Sequence, residues 1–169
     1  MNVLQYVAHY PTNIVQQVES LITQNKLKNY LLGRYPHKHT INNERALYNY
    51  VQDFKKRYVK KSSPLGKVVY DPKLQLIKHA LGMHTYVSRI QGNKLKAKQE
   101  IRIATLFKEA PQAMLDMIVV HELAHLKEKE HNKAFYQLCQ HMLPDYHQLE
   151  LDTRLFLIEF ELNGPIYSH

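Results

Sequence analysis

Across 169 residues the chain is 44% hydrophobic and 22% charged, a balance that fits one packed domain, or one with a helical extension, and excludes a disordered chain. The formal net charge of +8 and pI of about 9.4 exclude an acidic, self-solvating protein and favour anionic partners, although the positive charges form no single block. The lone Cys139 excludes an internal disulfide, and no apolar run approaches the ~20 residues of a membrane helix.

The opening MNVLQYVAHYP has no basic start followed by a long apolar core, so no secretory signal is expected and the expected location is cytoplasmic. Pro11-Thr12 forms a turn, and Ile14, Val18, Leu21 and Ile22 recur at helical spacing, which predicts an amphipathic helix over roughly 13–26. Gly33 and Pro36 interrupt the pattern. Asn42 or Asn43 caps a second helix with Leu47, Tyr50, Val51, Phe54 and Tyr58 on one face, ending in Lys60-Lys61. Ser62-Ser63-Pro64-Leu65-Gly66 reads as a connection, so the chain divides into a helical N-terminal region, 1–65, and a domain over 66–169.

Pro72 opens a short helix through Leu81, stopped by Gly82. Residues 84–90 are rich in β-branched and aromatic side chains and read as a strand. Gly92-Asn93 is a hairpin turn pair, and 100–107 alternate apolar and polar as a second strand. Pro111 then opens the longest helical segment, about 112–128, apolar nearly all round through Val120 and therefore a core helix.

That helix carries H-E-x-x-H as His121, Glu122, Leu123, Ala124 and His125. Residues four apart on a helix share a face, so two imidazoles there suit one zinc at ~2.0–2.1 Å. Glu122 lies about 100° round the helix, placed to reach a water beside the metal without ligating it. With eleven histidines in the chain, the bare motif also arises by chance as two surface histidines. The apolar setting argues against that, because an unpaired polar group there costs ~1–3 kcal/mol. A catalytic zinc needs a third protein ligand and an open corner. His131 supplies the spacing, after Lys127–Glu130 and just before Asn132, which caps a helix over about 133–143 with Phe135, Leu138, Cys139 and Met142 inward. Cys139 is a core residue in this reading, not a nucleophile. The chemistry expected is hydrolysis, most naturally of a peptide bond: Glu122 takes a proton from water and passes it to the leaving amine.

VVHELAHL (119–126), His131-Asn132, Ala134-Phe135 and Pro144-Asp145-Tyr146 together resemble the YgjP-like metal-dependent hydrolases, relatives of the SprT and WLM metallopeptidases, over roughly residues 80–150. The resemblance implies an α+β, zincin-like core with a small antiparallel sheet, an active-site helix and a second helix. It implies His121, His125 and His131 as zinc ligands, Glu122 as acid/base, and a peptide or protein substrate. By the same similarity Ile101–Phe107 is a candidate edge strand for holding extended peptide, with an ordinary internal strand as the equal alternative. Tyr146 and His147 are positions from which an oxyanion-stabilising group could come, though packing or exposure is the simpler reading.

Two other readings compete. SprT-like and WLM-like relatives act on protein bound to DNA, and Lys55-Lys56-Arg57, Lys60-Lys61, Lys94, Lys96 and Lys98 would then support weak nucleic-acid association. A non-catalytic metal-binding module would instead need a fourth ligand closing the site, from His141, His147 or Glu150.

Overall fold

The computed structural model describes residues 2–74, 86–91 and 98–167. A short 3-10 turn (Val3–Val7) leads to three helices, α1 (Thr12–Thr23), α2 (Leu27–Arg34) and α3 (Glu44–Tyr58), then to strands β1 (Leu65–Asp71), β2 (Tyr86–Gln91) and β3 (Lys98–Ala104). A second 3-10 turn (Thr105–Glu109) precedes α4 (Gln112–Ala124), α5 (Lys133–Met142) and α6 (Tyr146–Asn163). The class is α+β, as expected. Asn43 is the residue that caps α3, accepting a hydrogen bond from the Ala46 N–H at 2.8 Å. Among the described residues no helix is long and apolar enough to cross a membrane.

The sheet corrects the expectation of an antiparallel one. Its strand order is β1-β3-β2. The β2–β3 pair is antiparallel, with Ser88 opposite Ile101 and Tyr86 opposite Ile103, but β1 runs parallel to β3, with Val68 opposite Ile101 and Tyr70 opposite Ile103. The sequence predicts no strand at Lys67–Asp71, because only five residues separate Gly66, the end of the expected connection, from Pro72, the expected helix start. β3 is thus the central strand, with backbone partners on both sides. Ile101–Phe107 therefore has no open edge for strand addition, and its last three residues leave the sheet for the 3-10 turn. Ile101 and Ile103 are fully buried. Glu100 and Arg102 alternate onto the other face, where Arg102 pairs with Glu100 and, at 3.0 Å, with Asp71 of β1. The helix expected from Pro72 to Leu81 and the Gly92-Asn93 turn lie outside the described residues, apart from 72–74.

The core is built round α4, in which Met114, Leu115 and every residue from Met117 to Ala124 are buried. α6 packs against it and is itself an interior helix holding charges. Asp152 is fully buried and is satisfied by Tyr30 at 3.0 Å, Tyr35, Gln148 at 3.2 Å and Arg34 at 3.4 Å. Arg154 donates to the Tyr6 carbonyl at 2.6 Å. Buried charges need such partners, and most of these come from the 3-10 turn and α2. The N-terminal segments and α6 share one hydrophobic core with the sheet and α4.

Candidate metal centre

α4 ends earlier than its apolar pattern implied, at Ala124 instead of about 128. His125 is its C-cap, and the Lys127 and Glu128 N–H groups fold back onto the Ala124 carbonyl at 3.0 and 2.9 Å. This tight finish turns the Glu128 carbonyl onto His125 Nδ1 at 2.9 Å. On the far side of the turn, Asn132 caps α5 by accepting the Phe135 N–H at 2.8 Å, which holds His131 one residue before a rigid helix start. Two helix ends therefore aim three imidazoles at one place.

The Nε2 atoms of His121, His125 and His131 form a triangle with sides of 3.1, 3.0 and 3.3 Å. Each neutral imidazole Nε2 holds either one proton or one lone pair. A single proton makes at most one good bond in such a triangle, so three mutual contacts cannot all be hydrogen bonds. Ligand atoms on a tetrahedral zinc at ~2.0–2.1 Å stand about 3.3 Å apart, close to what is observed. The donor set fits a borderline divalent cation such as zinc. His125 Nδ1 faces a carbonyl, which only accepts, so that nitrogen carries the proton and Nε2 presents its lone pair inward. His121 is fully buried and His125 half-buried, so the triad opens toward solvent on one side.

Phe135, fully buried, is the floor of this site, with ring centroids 4.9, 4.6 and 4.9 Å from those of His121, His125 and His131. Phe135→Ala is expected to cost about 3–5 kcal/mol in a urea unfolding curve and to weaken metal binding, because all three rings lose the same support.

Glu122 is 2% exposed. Burial holds its carboxyl well above the usual carboxylate range, and its Oε1 has no hydrogen-bond partner among the described residues. An unpaired buried carboxylate oxygen costs stability, which is the mark of a group kept for chemistry or for a bound cation and water.

The other candidate residues fall elsewhere. Tyr146 is buried behind the triad, its hydroxyl 2.8 Å from His121 Nδ1, on the ring edge away from Nε2. His147 is exposed and packs on Tyr136 at 5.4 Å. His141 meets the Tyr58 ring edge-on at 5.6 Å. Among the described residues no fourth His, Cys, Asp or Glu joins the triad. Cys139 is buried, and burial pushes its thiol up to about 12. Sequence reasoning missed Tyr146's contact with His121, which spans 25 positions between two helices.

A family model described as "YgjP-like, metallopeptidase domain" matches residues 9–154. The UTP pyrophosphatase of Escherichia coli (strain K12) is 55% identical over 162 residues, covering 96% of this chain and 97% of that protein. No solved structure gives a significant match. A family match over most of the chain, in which three histidines converge on one point, makes this chain a member of the YgjP-like family of metal-dependent hydrolases.

Proposed function

We propose that this protein is a metal-dependent nucleotide pyrophosphatase that hydrolyses UTP to UMP and pyrophosphate. The observation that carries the reading is the convergence of three Nε2 atoms within 3.0–3.3 Å, with the buried Glu122 next in sequence to His121. The choice of substrate rests on the 55% identity to the E. coli UTP pyrophosphatase. The formal charge of +8 is consistent with attraction of a polyanionic substrate.

In this proposal His121, His125 and His131 hold one zinc ion. When bound, the cation supplies Lewis acidity, making water easier to deprotonate and offsetting anionic charge at phosphorus. Glu122 accepts a proton from the attacking water. The water oxygen bonds to the α-phosphorus as the α–β bridging P–O bond breaks, and Glu122 returns the proton to the departing pyrophosphate. Phe135 and the buried wall of α4 keep the three imidazoles and Glu122 in fixed relation, so little reorganisation accompanies the reaction.

Peptide hydrolysis is the second reading, favoured by the H-E-x-x-H arrangement and the family's description as a metallopeptidase domain. It draws no support from β3, whose two sides are both paired. A 31P NMR time course of zinc-loaded protein with UTP, run beside a cleavage assay on a mixed peptide library, separates the two. UMP and pyrophosphate appearing with wild type but not with Glu122→Gln is the expected outcome. Intact UTP together with Glu122-dependent peptide cleavage would transfer the assignment to a peptidase.

A further inference from the structure

Behind the histidine triad lies a line of polar side chains for which hydrolysis itself has no use. His121 turns Nδ1 to the Tyr146 hydroxyl at 2.8 Å. Tyr146, the first residue of α6, also reaches Glu150 Oε2, one turn along that helix, at 3.4 Å. The other Glu150 oxygen takes the hydroxyl of Tyr10, just before α1, at 3.5 Å. Tyr146 is fully buried and Glu150 is 8% exposed.

Hydrogen-bond chemistry gives this line a direction. The Tyr146 hydroxyl also hydrogen-bonds the Cys139 thiol; a thiol can donate or accept whereas a carboxylate only accepts, so Tyr146 gives its single proton to Glu150 and the thiol donates to the phenol oxygen. The phenol oxygen is then an acceptor toward His121, which must carry its proton on Nδ1. A neutral imidazole has one such proton, so Nε2 is left with its lone pair aimed into the triad. Without the carboxylate, Tyr146 is free to donate to Nδ1, and the tautomer it then favours has Nε2–H and cannot bind a cation. Burial raises the Glu150 carboxyl above its ordinary range, against the opposing pull of Arg154, His147 and the two phenol bonds. Arg154, one further turn along α6, lies 5.9 Å from the centre of the Tyr10 ring.

We propose that Glu150 is a positioning residue for the metal centre: acting through Tyr146, it holds His121 in the tautomer whose Nε2 receives the cation. The inference rests on the reading of the three histidines as ligands. His125 obtains the same tautomer from the Glu128 carbonyl, whereas His121 obtains it from a side-chain relay. Tyr10 gives the segment before α1 a part in the site, as the second donor to Glu150.

The test is a cobalt(II) titration of metal-free, full-length protein against a competing chromophoric chelator, with the visible cobalt spectrum recorded and each metal-free protein melted as a control for folding. Wild type, Tyr146→Phe, Glu150→Gln and the double variant are compared. Tyr146→Phe is expected to weaken cobalt binding about 10–100-fold, and Glu150→Gln by a smaller factor. The double variant should be no weaker than Tyr146→Phe alone, because Glu150 acts only through Tyr146. Wild-type affinity in Glu150→Gln, or losses that simply add in the double, overturns the relay. Failure of the wild type to bind cobalt overturns the ligation reading beneath it, a distinguishable result. Should Tyr146→Phe not fold, 15N NMR of His121 in metal-free wild type still decides: Nδ1–H with a bare Nε2 is expected, and Nε2–H overturns the proposal.

Discussion

Replacing Glu122 with glutamine is expected to lower kcat for UTP hydrolysis by about 10²–10⁴-fold, the range typical of losing a general acid/base, while zinc stays bound. The side chains are nearly the same size, and in the proposed site Glu122 is not a ligand, so the three imidazoles keep their positions. A second consequence separates this variant from simple damage. Glu122 is a buried carboxyl with an oxygen that no described residue satisfies, and a neutral amide is less costly to bury than a carboxylate. Metal-free Glu122→Gln should therefore melt at the wild-type temperature or above it. Lost activity with retained metal and undiminished stability is the signature of a group held at a structural cost for its chemistry. Turnover, zinc content and a thermal melt on one preparation read all three, and activity within a few-fold of wild type would exclude Glu122 from the reaction.

Removing the third imidazole acts on the metal instead. His131→Ala leaves two Nε2 atoms and a second open corner, so zinc affinity should fall by more than the ~10–100-fold typical of losing an outer partner. His131 lies outside the regular helices but is half-buried against Phe135 and Tyr136, so the metal-free fold should lose about 1 kcal/mol. The variant and chelator-treated wild type should then have the same residual activity. Zinc at ~100 times the wild-type Kd should stabilise wild type by about 2.7 kcal/mol and His131→Ala by far less, which paired melts with and without zinc will show. Wild-type zinc stabilisation in His131→Ala would remove His131 from the site.

The features legible in the sequence are those with local causes. Apolar residues on every side of 114–124 signal a core helix, which makes His121, Glu122 and His125 conspicuous inside it. The cap at Asn132 has its own chemistry in the side chain, and it places His131 without knowledge of the rest of the fold. What was not legible depends on partners far along the chain. α6 mixes Glu150, Asp152, Arg154 and Glu159 with apolar residues, all of them buried. Glu150, Asp152 and Arg154 are satisfied by Tyr10, Tyr30, Tyr35, Arg34 and the Tyr6 carbonyl, so no apolar stripe marks the helix. α2 offers only Leu27 and Leu31 as buried positions, too few to establish a period. The alternation of β3 shows which face is apolar but cannot show whether a neighbour lies on each side; β1 supplies the second neighbour from 33 residues upstream, Val68 standing opposite Ile101. The early end of α4 has a cause beyond periodicity as well, since the residues after His125 fold back to bring the Glu128 carbonyl onto its ring.

Calorimetric titration of zinc into chelator-stripped wild-type protein, with the imidazole signals of His121, His125 and His131 followed by NMR, bears most directly on the convergence of these three side chains. One equivalent of zinc, shifting all three rings together and restoring UTP hydrolysis to the stripped protein, is the expected result. No binding, or binding that leaves any of the three rings unperturbed, would contradict a shared metal centre.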